Sequence, residues 1–334
     1  MTQDTGIRMG VIGYGGAFNM GRAHLSQGRD AGLIPSAVCD LDPERTEQAK
    51  ADFPGIWTGN NVEEFLASAP VDLVIVITPH NTHADLCIKA SQAGKHVITE
   101  KPFCITADEA TAMIEAAKSA GKMLSVYHNR RWDGDFMAIR QTVHGGAIGD
   151  VFSIEMGMSG YGHPGYWWRS KKEISGGHFY DWGAHMVDWM LHIVQHPMVD
   201  VTGIFQKRVW MDVTNEDHTQ AIIRFEDNIW GNIEMSSIAR APKPRYRILG
   251  TKGAIVDRWE GHFTLYSEVA GLPAESKVPY LKDDWPAYYR NIAAHLTEGA
   301  KLAVTAESAR RIISLIETAE KSAVAGKPLP PPFR

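Results

Sequence analysis

The stretch VIGYGGAFNMGRAH, residues 11–24, constrains this chain more than any other. It joins an apolar run, IRMGVIG (7–13), to GRAH (21–24), which reads as the opening of a helix. Gly13 and Gly15 fit the first two glycines of a turn whose backbone N–H groups cradle a phosphate at a helix N-terminus. Position 18, where the third glycine belongs, holds Phe18, and Gly21 comes three residues late. Asp40 closes the next apolar run, IPSAVCD (34–40), about 20 residues past Gly21, where an acid accepts hydrogen bonds from ribose hydroxyls. The segment therefore reads as a dinucleotide-binding loop with an enlarged lip over 16–20. A plain Gly-rich turn is the bland alternative. Gly13, Gly15, Ala17, Phe18, Asn19, Met20 and Asp40 are the expected cofactor contacts of this loop, with Asn19 and Met20 lining the pyrophosphate and nicotinamide. Two like charges about 4 Å apart repel by about 4 kcal/mol at an effective dielectric near 20. A 2′-phosphate beside Asp40 is disfavoured unless a cation intervenes, and Arg45 is the nearby cation. NAD is expected over NADP.

Three further apolar runs follow: VDLVIVITP (71–79), KHVITEKP (95–102) and KMLSVYHN (122–129). Helix signals separate them. Asp42-Pro43-Glu44 offers an N-cap, a proline at the first helical position and an early acid. Thr106 and Glu109 form a capping box ahead of EATAMIEAAKSAG. Strands alternating with helices imply a doubly wound parallel sheet. The character changes after about residue 130, and all but Trp57 of the ten tryptophans lie beyond it. GDVFSIEMGMSG, TQAIIRFEDNIWGNIEMSSI and RYRILGTKGAIVDRW alternate and carry turn residues, as antiparallel strands do. A helix is expected over 177–194 and another over about 305–325. The expected architecture is a parallel-sheet dinucleotide domain over 1–128, then a domain over 129–334 built on a large, mostly antiparallel open sheet, the last helix packing back on the first domain.

The net charge of −5 argues against a nucleic-acid partner. No apolar run reaches the ~18 residues that span a bilayer, and no signal segment is evident, so a cytoplasmic protein is expected. Cys39, Cys87 and Cys104 are odd in number and lack CxxC spacing, which reads as reduced core thiols. A large open sheet needs a covering surface, and a homodimer or homotetramer is expected.

TEKPF (99–103) ends the fourth run, and TPHNTH (78–83), HNRRWD (128–133), WWR (167–169) and SGGHFYDWGAHMVD (175–188) follow in order. Together these motifs, which span most of the chain, resemble the glucose–fructose oxidoreductase/inositol dehydrogenase/MocA (Gfo/Idh/MocA) family. The longer first loop and His178, where many relatives have glycine, depart from it. The resemblance implies a Rossmann domain, an active site between two domains, and hydride transfer between NAD and a sugar, polyol or glycoside. Such chemistry needs a group to stabilise charge on the reacting oxygen and another to move its proton. Lys101 is the expected polarising cation and His185 the expected acid–base, since an imidazole near its ordinary pKa serves both directions. Asp181, four residues before His185, is expected to orient substrate or raise the proton affinity of His185. The blander reading makes Asp181/His185 and Asp188/His192 helix-stabilising pairs, and that reading is preferred for Asp188 and His192. The resemblance places Thr78, Pro79, His83, Glu100, Lys101 and Asn129 at the cofactor, and Arg131, Trp168, Arg169, Asp181 and His185 at the substrate. Packing on the sheet is the alternative for Trp167 and Trp168. The basic loop RAPKPRYR (240–247) is expected to be solvated. No metal is expected, because the chain has no further Cys/His cluster at ligand spacing. Two other functions stay open: glycoside cleavage through transient oxidation and elimination with no net redox change, and a non-catalytic NAD sensor.

Overall fold

The computed structural model describes residues 5–16 and 18–334. The chain divides into two compact units, Met1–Asn129 with Pro286–Arg310, and Arg130–Trp285 with Arg311–Arg334. The first unit contains β1 (Arg8–Ile12), α1 (Met20–Asp30), β2 (Ile34–Cys39), α2 (Pro43–Asp52), β3 (Trp57–Gly59), α3 (Val62–Ser68), β4 (Leu73–Val76), α4 (His83–Gln92), β5 (His96–Thr99), α5 (Ala107–Ser119) and β6 (Leu124–Val126). Its sheet runs β3-β2-β1-β4-β5-β6, every pair parallel. The order reverses between β1 and β4, and ligands bind outside the carboxyl ends of strands at such a switch point. All four residues of β4 are buried, as a strand covered on both faces requires. The two sequence-expected helix starts are present. The Asp42 carboxylate accepts from the Glu44 N–H at 3.0 Å, and Thr106 and Glu109 exchange capping-box bonds. β3 and α3 add to the elements expected from the sequence.

The second unit contains α6 (Gly134–His144), β7 (Val151–Ser159), α7 (Lys172–Ser175), α8 (Trp182–Ile193), β8 (Met198–Gln206), β9 (His218–Phe225), β10 (Trp230–Ser236), β11 (Tyr246–Gly250), β12 (Gly253–Asp257), β13 (His262–Val269) and β14 (Leu272–Pro279). The chain then returns to the first unit as α9 (Pro286–Glu298), and α10 (Ala306–Ala325) runs from one unit into the other. The eight-stranded sheet has the order β14-β13-β12-β11-β7-β10-β9-β8, antiparallel except for β7 with β10. The expected fold class is borne out in both sheets.

Strand alternation divides this sheet into two unlike faces. One carries Ile154, Met156, Val201, Ala221, Ile223, Ile233, Ile248 and Ile255, all at most 1 % exposed. Against it lie α8, whose Met190 sulfur would sit 2.6 Å from a Cβ on Gly231, and α10, whose Ala319 carbonyl oxygen would sit 1.8 Å from one on Gly203. The other face carries Trp230, Tyr266 and Arg224 in part exposed, with Arg224 paired to Asp200, Arg247 to Glu155, and Gln220 bonded to Asn232.

The helix expected over 177–194 is interrupted. A 3₁₀ turn spans His178–Tyr180, Asp181 breaks the path with ψ −89°, and α8 begins at Trp182. Gly176 and Gly177, whose φ of 85° and 126° glycine adopts without steric cost, turn the chain into the 3₁₀ segment that precedes this break.

Candidate active site

Close approach explains the glycines of the first loop. A Cβ on Gly13 would stand 2.3 Å from the Ile77 carbonyl oxygen, where β1 and β4 end side by side. One on Gly21 would meet the Tyr14 backbone at 2.7 Å, so the late glycine lets α1 pack on the loop, the task of the third fingerprint glycine. Asn19 flanks α1 in the left-handed region (φ 49°), and Met20 is the first helical residue. No side chain among the described residues caps α1, and its first turn carries no acid, whereas Asp42, Asn61 and Thr106 cap α2, α3 and α5. Gly16 has open space around it, and Phe18 is exposed. A bare helix N-terminus beside an open Gly-rich turn fits a dinucleotide's pyrophosphate. The expected contact at Ala17 lies outside the described residues.

Asp40 is more tied to the protein than its sequence position suggests. One carboxylate oxygen accepts from the Tyr14 and Gly15 N–H groups at 2.7 and 3.2 Å, and the other from the Asp42 N–H at 2.9 Å. Asp40 thus braces the loop, with one acceptor site left over on Oδ1 for a ribose hydroxyl. Arg45 lies across this loop, its Nε 2.4 Å from where a Cβ on Gly15 would stand, and pairs with Asp42 at 3.7 Å.

The Glu100-Lys101-Pro102 turn leaves the carboxyl end of β5, with its Lys101–Pro102 peptide cis. Glu100 Oε2 accepts from the Lys101 N–H at 2.9 Å, and Oε1 lies 3.0 Å from His24 Nε2. Burial pushes the Glu100 carboxyl up, but the His24 hydrogen bond and the charge of Lys101 outweigh it, holding the group below the usual glutamate range. Thr78 and Pro79 follow β4, with Thr78 Oγ1 2.7 Å from Thr82 Oγ1. His83 is fully buried. Its ring nitrogens face the carbonyl oxygens of Pro102 and Thr78, each at 2.9 Å, and burial pushes its imidazole down. It clamps the loops after β4 and β5 together. Asn129 begins a 3₁₀ turn after β6.

The substrate candidates of the second unit gather around α8. His185 is 4 % exposed, with the indoles of Trp182 and Trp189 at centroid distances of 5.6 and 6.0 Å. Asp181 sits at the break before α8 and accepts from Arg169 Nη1 at 2.6 Å. The Arg169 guanidinium lies over Trp168 at 4.9 Å and Trp167 at 5.4 Å. Asp181 is therefore oriented by Arg169 from outside the helix, not as a member of one helical stripe with His185.

Arg131 binds Asp188 in bidentate fashion at 2.8 and 2.7 Å, both side chains being buried. This pair ties Arg131 to α8, and Arg131 rather than His192 is the close partner of Asp188. Its oxygen stands 3.8 Å from His192 Nε2, and burial pushes His192 down to about 4, leaving it neutral near pH 7. The His178 backbone N–H donates to Glu216 Oε2 at 3.1 Å, and burial pushes its imidazole down. The basic loop differs from expectation at two residues, Arg245 and Tyr246, both buried, the second opening β11. Arg245 is buried 2.8 Å from Asp135 and over Trp259 at 4.0 Å, its charge balanced by that buried carboxylate.

The family models match on both sides of the chain. "Oxidoreductase family, NAD-binding Rossmann fold" covers residues 7–128, and "GFO/IDH/MocA C-terminal domain" covers 136–256. The chain is 30% identical to scyllo-inositol 2-dehydrogenase (NADP(+)) IolW of Bacillus subtilis (strain 168), over 95% of this chain and 93% of that protein. Inositol 2-dehydrogenase of Rhizobium meliloti (strain 1021) is 34% identical over 43% of each chain. A solved NAD-binding protein from Listeria innocua superposes with a TM-score of 0.86 at 27% identity, covering 97% of this chain and 96% of that one. Two domain matches and a relative aligned along nearly the whole length bear out the resemblance drawn from TEKPF and its companion motifs: the chain belongs to the Gfo/Idh/MocA family of NAD(P)-dependent oxidoreductases.

Proposed function

We propose that this enzyme transfers hydride between a nicotinamide dinucleotide and a hydroxyl or keto carbon of a polyol or sugar. The observation that carries the reading is the Glu100-Lys101-Pro102 turn at the carboxyl end of β5, beside the β1/β4 switch point where this topology binds ligands. The inositol dehydrogenases among the relatives support the substrate class. When bound, the nicotinamide supplies the two-electron donor or acceptor. Lys101 brings a positive charge to the reacting oxygen, and His185 accepts or returns the hydroxyl proton. Arg169 and Asp181, held together at 2.6 Å, present fixed donors and acceptors to neighbouring hydroxyls, with Trp168 beneath. Asp40 favours NAD, and Arg45 beside the same loop opens the site to NADP as well.

A panel of inositols, sugars and glycosides, assayed with NAD and with NADP, tests this. Cofactor reduction with a polyol or sugar, lost by at least about 100-fold in Lys101→Ala and His185→Ala while NADH binding persists, is the expected result. Near-normal turnover in both variants refutes the assignment. Product analysis on the same panel separates net oxidation from glycoside cleavage.

A further inference from the structure

Behind the Glu100-Lys101-Pro102 turn lies a buried chain of polar groups that the reaction does not touch. His24 on α1 has no exposed surface, nor has Tyr289 on α9. The Tyr289 hydroxyl lies 2.5 Å from His24 Nδ1, and His24 Nε2 lies 3.0 Å from Glu100 Oε1. The other oxygen of Glu100 accepts from the Lys101 N–H. Three helices and strands far apart in sequence thus converge on one carboxylate. A buried imidazole bonded on both nitrogens holds a single tautomer, set by whichever partner must donate. Burial, with Tyr127, Tyr288 and Glu100 as neighbours, pushes the Tyr289 hydroxyl well above the ordinary tyrosine range, so it keeps its proton and donates. Nδ1 then accepts, and the ring proton sits on Nε2, directed at Glu100.

We propose that His24 and Tyr289 are positioning residues for Lys101. Together they hold Glu100 as an oriented carboxylate, which fixes the backbone at Lys101 and keeps a negative charge beside its ammonium. The proposal rests on the catalytic role of Lys101 given above. The groups facing His24 are Tyr289 from α9, Glu100 from the turn after β5, and Tyr127 after β6, whose ring centroid is 4.2 Å away and whose hydroxyl donates to Gln27. Tyr288 faces Tyr127 and donates to or accepts from Ser125. Glu100 is the one acid among these groups. Without the Tyr289 hydroxyl, the tautomer with its proton on Nδ1 becomes accessible. Its Nε2 lone pair then faces Glu100, which a carboxylate tolerates poorly and a protonated carboxyl tolerates well.

The test compares Tyr289→Phe, His24→Leu and His24→Gln in the full-length protein. Tyr289→Phe and His24→Leu are expected to lower kcat about tenfold, leave KM for the polyol within about twofold, and move the acid limb of the kcat profile up by about one pH unit. His24→Gln keeps an N–H donor toward Glu100 and is expected to restore most of the rate. Profiles of the folded variants that superimpose on wild type overturn the proposal. So does ¹⁵N NMR of the wild-type protein showing the His24 proton on Nδ1. The NMR readout needs no turnover, so it stands if Lys101→Ala proves active and the dehydrogenase reading fails.

Discussion

At the residue scale, cofactor choice turns on Asp40 and Arg45. Asp40 accepts three backbone N–H groups from the Gly-rich loop and the start of α2, so its charge is fixed in place whichever cofactor is present. Arg45 is half exposed and pairs loosely with Asp42 at 3.7 Å, which leaves its guanidinium able to swing to an incoming anion. A charge-assisted contact from arginine to phosphate in so wet a setting contributes on the order of 1–2 kcal/mol, or about tenfold. Arg45→Ala is therefore expected to lower kcat/KM with NADP about tenfold and with NAD less than twofold, measured as initial rates on one substrate. Equal losses with both cofactors sink this assignment. The sequence makes some of these residues legible and others not. Asp40 announces itself by its distance from the glycines, and Lys101 by its Glu and Pro neighbours. The contact of His24 with Tyr289 spans 265 positions, and nothing local to either residue signals it. Arg245 is hidden in a different way: its basic loop looks solvated until Trp189 of α8 and Trp259 after β12 come to lie against it.

Among the elements, the strongly patterned ones are legible and the short or composite ones are not. The five apolar runs of the first unit all become strands of one parallel sheet. β3 has three residues and no alternation to read. α9 carries a readable stripe, Pro286 at its start and Tyr288, Tyr289, Ile292 and Ala293 buried, yet the strand-rich sequence around it masks the change of period. The break at Asp181 is invisible to periodicity, because the stripe continues in phase while the backbone does not. Close packing between elements supplies a sharper test. Gly203 on β8 has its N–H on Ser322, and a Cβ there would lie 1.8 Å from the Ala319 carbonyl oxygen of α10. Neither backbone can yield by rotating a side chain. Gly203→Ala is expected to cost about 3 kcal/mol or more, while Gly160→Ala, with open space at its Cβ, stays within about 0.5 kcal/mol. Thermal and urea unfolding of the two variants against wild type measures the contrast. A Gly203→Ala melting temperature equal to that of wild type contradicts the close approach.

For the whole molecule, the unbalanced sheet of the second unit is the most consequential feature. Its inner face is sealed by α8 and α10. Its outer face leaves Trp230 at 45 % and Tyr266 at 41 % exposure among the partly exposed apolar side chains Ile222, Leu249 and Val256. Alternating with them are the Arg224–Asp200 and Arg247–Glu155 pairs, which satisfy their own charges and so can be covered without stranding an ion. An apolar face studded with internally balanced pairs suits a second copy of itself, since a two-fold axis sets each patch against its equal. Self-association through this face is the outcome this arrangement predicts. Light scattering is expected to report at least twice the 37.0 kDa chain mass at micromolar concentration. The double variant Trp230→Glu/Tyr266→Glu places two uncompensated charges on each patch and is expected to run as a monomer, with its circular dichroism and its NADH binding retained. Both side chains are exposed, so the fold of a single chain bears little of the change. A wild-type protein that is monomeric at these concentrations removes the inference. A double variant that keeps the wild-type mass moves the interface to another surface, leaving the outer face of the sheet to water.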